Sequence, residues 1–204
     1  MKRAELVKLL MKPDQCRKLM QEMLSDEQYR HSLGVARAAV ILAKRYGVDV
    51  KKAELAGLLH DYGKRYSHRE LLEKADQLNL MLDDLTRREG KLLHAPVGAA
   101  LLNSELQITE ADLTEAVSDH STGRSGMSSL GKVLYLADCI EENRNFAGVE
   151  KIRQLASIDF DQALLAAVNN TIRSVLTRNL ILHPRSVEFR NSLLIAIGGN
   201  NSQK

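Results

Sequence analysis

Cysteine is scarce in this chain of 204 residues, which carries only Cys16 and Cys139. Their spacing suits neither a metal knuckle nor a redox pair, so no disulfide framework is expected. Two reduced thiols fit a cytosolic protein. Proline is nearly as rare, at Pro13, Pro96 and Pro184. Apolar runs fall short of the roughly 20 residues that a membrane-spanning helix needs. At the start, Lys2, Glu5, Lys8 and Lys12 interrupt every apolar run, so no signal peptide is expected. Neither sign of charge dominates, because 29 basic and 26 acidic residues leave a formal +3. A nucleic-acid binder concentrates basic residues on one face, and this balance argues against one. A soluble, cytoplasmic protein is expected, with neither nucleic acid nor membrane as partner.

What the chain does have is length for a core and a helical pattern. At 204 residues it suits one domain, 1–204, with a helical core over about 26–180 and an appended N-terminal helix and C-terminal tail. Such a chain can fold without a structural metal, which leaves any bound metal free for chemistry. No segment sustains strand alternation, so the fold class is all-α. In residues 26–46, Tyr29, Leu33, Ala36, Val40 and Ala43 recur at helical spacing and Gly47 stops the run. Asp49 caps a helix through Leu55 and Leu59 into His60 and Asp61, with Gly63 ending it. Ser67 opens a helix over 69–78. Pro96 suits the first turn of another, through Val97 and Leu102. Thr109 with Asp112 resembles a cap for a helix ending near His120. Residues 121–129 read as a polar loop, 130–140 as an apolar helix, and Asp159 as the start of a long one. The tail from Gly198 reads as frayed. Residues 76–91 are polar, either a lid or a plain surface connection.

The ionisable residues on this scaffold are unevenly placed. His31 lies on the first long helix, His60 and Asp61 end the second, His94 stands just before a helix start and His120 at a helix end. Asp138 interrupts the apolar run Val133-Leu134-Tyr135-Leu136-Ala137. A carboxylate on an apolar helix is costly to bury unless a cation pairs with it. A metal would serve, and so would an Arg or Lys. Imidazole with carboxylate suits iron, manganese, cobalt or zinc better than calcium. Each residue taken alone is weak; the ordered set carries the signal.

That ordered set, a His, a His-Asp pair one helical hairpin later and a distant Asp, resembles the HD-domain phosphohydrolase superfamily. The surrounding stretches, Arg30-His31-Ser32-Leu33-Gly34, His60-Asp61-Tyr62-Gly63-Lys64, His94-Ala95-Pro96-Val97-Gly98, His120-Ser121-Thr122-Gly123-Arg124 and Asp138-Cys139-Ile140-Glu141-Glu142-Asn143-Arg144, look like its bacterial symmetrical bis(5′-nucleosyl)-tetraphosphatases. His183-Pro184-Arg185 and Arg190-Asn191 also fit. Departures are small: Ser121 stands where Thr is frequent, and Glu142 where Pro is. The resemblance implies an HD-domain helical bundle with a metal site at its centre, preferring iron and holding one or two ions. It implies that His31, His60, Asp61 and Asp138 hold the first metal, with His94 and His120 either completing a second site bridged by Asp61 or binding phosphate. The implied substrate is diadenosine tetraphosphate and the product a nucleoside diphosphate; a homodimer is compatible with this.

Hydrolysis of a phosphoanhydride needs an activated water and cations to neutralise the polyphosphate. Beside Asp61, the candidates for catalysis are Lys64, Arg124 and Arg144, with Ser121, Thr122 and Gly123 as further phosphate contacts. Each cation has a plainer role available: Lys64 at a helix end, Arg144 paired with nearby carboxylates, Arg124 solvated in its loop. His68 and His183 lie outside the motifs and are assigned no metal role, and Tyr62 and Tyr135 read as packing residues. Besides the tetraphosphatase, two alternatives stay open: another HD-type nucleotidase or cyclic-nucleotide phosphodiesterase, and a non-catalytic nucleotide- or metal-binding module.

Overall fold

The computed structural model describes residues 12–201, and among them there is no strand. The helices are α1 (Pro13–Met23), α2 (Asp26–Tyr46), α3 (Val50–Leu59), a 3₁₀ turn (Tyr62–Arg65), α4 (His68–Gln77), α5 (Asp84–Arg88), α6 (Gly90–Leu106), α7 (Ala111–Asp119), α8 (Ser129–Ile140), α9 (Val149–Ala156), α10 (Phe160–Thr177) and α11 (Pro184–Asn201). The start of the chain, where the interrupted apolar runs argued against a signal peptide, lies outside the described residues.

Local chemistry sets most boundaries. Ser25 and Gln28 form a reciprocal capping box at the start of α2, and Gly47 ends that helix in the left-handed region at φ 70°. Asp49 accepts from the amides of Lys51 and Lys52 to open α3. Ser67 with Glu70, Ser128 and Asp159 do the same for α4, α8 and α10.

Four expectations need correction. Pro96 does not begin a helix; α6 starts at Gly90, so Pro96 lies inside it and His94 stands within the helix instead of before it. The ring removes the amide that would bond Leu92 O. Leu93, His94, Ala95, Val97, Gly98 and Ala99 are all buried, and this packing holds α6 through the proline. Secondly, α7 starts after Glu110, which makes no side-chain cap bond, and Thr109 does not cap it. Thirdly, the run from α3 does not continue to Gly63: it stops at Leu59, and Gly63 belongs to the 3₁₀ turn. Lastly, the chain stays helical past Gly198, with α11 running to Asn201, the last described residue. The polar stretch 76–91 contains the end of α4, the short α5 and the first residues of α6.

One apolar core runs from Cys16 on α1 to Leu193 on α11, centred on α2, α3, α6, α7 and α8. The α2–α3 pair can approach closely because Gly57 has no side chain: a Cβ there would lie 2.5 Å from Ala36 Cα. That approach brings His31 of α2 beside His60 at the end of α3. No helix among the described residues is long and apolar enough to cross a membrane.

Candidate metal centre

His60 and His120 occupy equivalent places, each the residue that follows the last turn of a short helix, α3 and α7. Each ring is fixed the same way. His60 Nδ1 lies 2.9 Å from Gly57 O and His120 Nδ1 lies 2.7 Å from Val117 O, three residues back in both cases. A carbonyl oxygen can only accept, so Nδ1 carries the proton and Nε2 presents its lone pair. Adjacent helix ends thus become two aimed imidazoles. His31 is aimed from α2, with Nδ1 3.1 Å from Glu141 Oε1.

The third element is α6, which carries His94. It lies tight against the 3₁₀ turn because Gly63 has no side chain; a Cβ would sit 2.3 Å from His94 O. Four imidazoles then surround one buried carboxylate in two pairs. His60 Nε2 is 3.2 Å and His31 Nε2 is 3.8 Å from Asp61 Oδ2, and the two Nε2 atoms are 3.3 Å apart. On the other oxygen, His94 Nε2 is 3.3 Å and His120 Nε2 is 3.6 Å from Asp61 Oδ1, with 3.1 Å between those nitrogens. Asp138 Oδ1 adds a carboxylate to the first pair, 3.0 Å from His31 Nε2.

These residues fit a transition metal. Asp61 is fully buried, yet neither oxygen has a partner in hydrogen-bonding geometry; Lys64 Nζ stands 2.7 Å from Oδ2 as an ion pair. A buried carboxylate without hydrogen bonds is costly unless a cation completes it. Two nitrogens each about 2.1 Å from one ion stand about 3.0–3.4 Å apart in octahedral to tetrahedral geometry, which matches both pairs. His31, His60 and Asp138 form one group of converging ligand atoms, and His60, Asp61 and His120 another. The charge states suit ligation. Burial opposes ionisation of Asp61, but the surrounding imidazoles, His60 foremost and then His120 and His94, hold its carboxyl well below the usual range. Burial pushes His94 down to about 4, so its ring is neutral near pH 7.

The HD domain matches residues 29–143, which span all four of His31, His60, Asp61 and Asp138. The chain belongs to the HD domain family. It is 38% identical over 182 residues to the symmetrical bis(5′-nucleosyl)-tetraphosphatase of Halalkalibacterium halodurans, covering 87% of this chain and 94% of that protein. It is 38% identical over 165 residues to the protein of the same name from Bacillus subtilis, covering 81% and 88%. A crystal structure from Clostridium acetobutylicum, described as a predicted HD superfamily hydrolase involved in NAD metabolism, superposes with a TM-score of 0.86 at 37% identity, covering 90% of this chain and 97% of that one.

Beside the HD-domain centre lies a cavity of about 290 Å³. Lys64, His94, His120, Ser121, Asp138 and Arg144 line the side of it next to this cluster. Arg144 is tied to Asp138 twice, through Oδ1 and, from Nε, through the main-chain oxygen at 2.8 Å. It therefore pairs with Asp138 and not with the side chains of Glu141 or Glu142. Three sequence candidates are not on the cavity wall. Arg124 turns to Asp119 and, at 2.8 Å, to Glu115. The Thr122 hydroxyl is buried and donates to Gly123 O at 3.0 Å. The Gly123 amide is used by Asp119 O at 2.7 Å. A loop whose donors are spent internally has little left for phosphate. His68 bonds Arg87 O and His183 faces Asp83 and Thr86, both away from the centre. Tyr62 and Tyr135 are buried, and Tyr135 also lines the cavity.

The far wall went unnoticed in the sequence. Asn170, Thr171, Ser174, Val175 and Arg178 bring α10 to the cavity, joined by Phe146. No motif marks them; the only signal was their four-residue spacing.

Proposed function

We propose that this HD-domain protein hydrolyses dinucleoside tetraphosphates, diadenosine tetraphosphate among them, at the central anhydride to give two nucleoside diphosphates. The observation that carries the reading is the two imidazole pairs flanking the two oxygens of Asp61, open to a cavity edged by Lys64 and Arg144. The names of the relatives, matched over nearly their full length, supply the substrate class.

His31, His60, Asp61 and Asp138 would hold one metal, and His94 and His120, with Asp61 shared, a second. Nitrogen with carboxylate oxygen suits iron, with manganese, cobalt and zinc as competitors. When bound, such ions lower the pKa of a coordinated water and polarise a phosphoryl oxygen.

The protein's own groups do the rest. Lys64 Nζ, already 2.7 Å from Asp61, contributes a point charge to the attacked phosphate. Arg144, fixed by Asp138, faces the phosphate that departs, where negative charge grows in the transition state. Arg124, held by Asp119 and Glu115, takes no part in this. Both cysteines are free thiols, as a cytoplasmic setting allows.

Metal-stripped protein, reloaded anaerobically with iron, manganese, cobalt or zinc and given diadenosine tetraphosphate, tests the reading. Restored hydrolysis, greatest with iron, is expected. Inertness toward this substrate under every metal, with phosphate released from a nucleoside monophosphate instead, would replace it by a nucleotidase.

A further inference from the structure

The α10 wall presents three polar side chains in register. Asn170, Ser174 and Arg178 are spaced four residues apart, and all three line the cavity. Residues at that spacing share one helix face. From the first to the third, the row extends about 12 Å along the axis. That is roughly the reach of one nucleotide from its terminal phosphate to its base, about eight bonds of about 1.5 Å.

Among the described residues, none of the three side chains has a hydrogen bond or ion pair. The neighbouring polar groups differ. Arg144 is bound to Asp138 and Arg124 to Asp119 and Glu115. Asn169, one residue from Asn170, accepts from Arg190 Nε at 2.7 Å. Arg178 is thus an unspent guanidinium on the rim of a cavity whose opposite wall is the metal centre. It stands one residue past the end of α10, where the helix dipole favours a cation.

The cavity is also too small for the whole substrate. At about 290 Å³ it sits at the lower edge of ligand pockets. A cavity of that size suits one nucleotide half of the proposed substrate better than the whole.

We propose that Asn170, Ser174 and Arg178 form the subsite for one nucleoside diphosphate half, with Arg178 taking phosphate charge and Asn170 and Ser174 bonding the ribose or base. Phe146, half-buried on the same cavity wall, offers an apolar face to the base. This subsite supplies the cation on the substrate chain that the loop around Arg124 does not. It rests on the proposed phosphohydrolase reading, but it makes a separate statement about binding.

The test uses the iron-loaded full chain under anaerobic conditions, as wild type, Arg178→Ala, Arg178→Lys and Asn170→Ala. ADP affinity is measured by calorimetry, and KM and kcat on diadenosine tetraphosphate by chromatography. A charge-assisted contact predicts that Arg178→Ala weakens ADP binding and raises KM by about 10-fold or more, with kcat within about 3-fold. Arg178→Lys recovers part of the loss, and metal content is the same throughout. Asn170→Ala gives a smaller loss of affinity. Unchanged ADP affinity and KM in Arg178→Ala, with wild-type hydrolysis intact, would overturn the subsite and leave the hydrolase reading standing. ADP bound through Arg178 by a protein that cuts no dinucleoside tetraphosphate would uphold the subsite and sink the substrate.

Discussion

His31 Nδ1 and Glu141 Oε1 lie 3.1 Å apart, and Glu141 is only 2% exposed. Glu141 is itself fixed, since its other oxygen accepts from the Asn143 main-chain amide and side-chain amide, each at 2.8 Å. A carboxylate behind a ligand histidine sets the ring's orientation and strengthens its donor nitrogen. Glu141→Ala should therefore weaken metal binding by about 10- to 100-fold, while Glu141→Gln, which keeps an acceptor, costs less. Competition with a chelator measures it. Equal metal affinity in Glu141→Ala and wild type would leave Glu141 without this role.

The two halves of the centre should separate under mutation. His60→Ala and Asp138→Ala are expected to abolish metal retention and activity while circular dichroism stays helical. His94→Ala and His120→Ala should lose activity and keep the tighter metal, because they address the other oxygen of Asp61. Metal analysis of all four variants decides it. Full occupancy in the first two, or complete loss in the last two, runs against the assignment.

Arg124 offers a contrast. Its guanidinium is paired with Asp119, whose side chain is 7% exposed, and with Glu115. Arg124→Ala should leave kcat and KM within about 3-fold of wild type and lower stability instead. Solvent screening of a partly exposed pair limits that loss to about 1 kcal/mol, or about 2–4 °C in Tm for a chain of this size. A hundredfold fall in kcat with unchanged Tm would return Arg124 to the chemistry.

Acid should expose the contribution of Asp83. Burial opposes its ionisation, but the Thr86 amide and hydroxyl, each 2.9 Å away, and then His183 hold its carboxyl down to about 2. A depressed carboxyl stabilises the fold above its unfolded pKa of about 4, and that stability fades as pH falls toward 2. Asp83→Asn keeps a capping oxygen and removes the charge. Its Tm deficit relative to wild type should be present at pH 6 and shrink toward pH 2. A deficit that is constant across that range would show that charge is not the cause.

The helices α2 and α3, which carry His31 and lead into His60 and Asp61, were legible because each has a local reason to exist. Ser25 with Gln28 and Gly47 bracket α2, and Asp49 opens α3. His31, His60, Asp61, His94, His120 and Asp138 were legible as an ordered set, and the structure brings them within a few ångströms. Pro96 misled because its rule concerns isolated helices, whereas burial on both sides carries α6 through it. The helices α9 and α11 were not foreseen: α9 is a single short amphipathic stretch of 8 residues, and α11 ends in a run of glycine and asparagine that favours fraying. Arg124 and Arg178 show the deeper limit. Proximity to a motif does not say which way a side chain turns, and Arg178 reaches the cavity only because α10 crosses it.

The bond that is cut is the central claim, and the position of a solvent oxygen reports it. Iron-loaded protein should be given diadenosine tetraphosphate in water enriched in oxygen-18, without air, and the products resolved by chromatography and mass spectrometry. The account predicts ADP as the sole nucleotide product, with one labelled oxygen on the β-phosphate of half the molecules. Equal amounts of ATP and AMP would place the cut off-centre and contradict it.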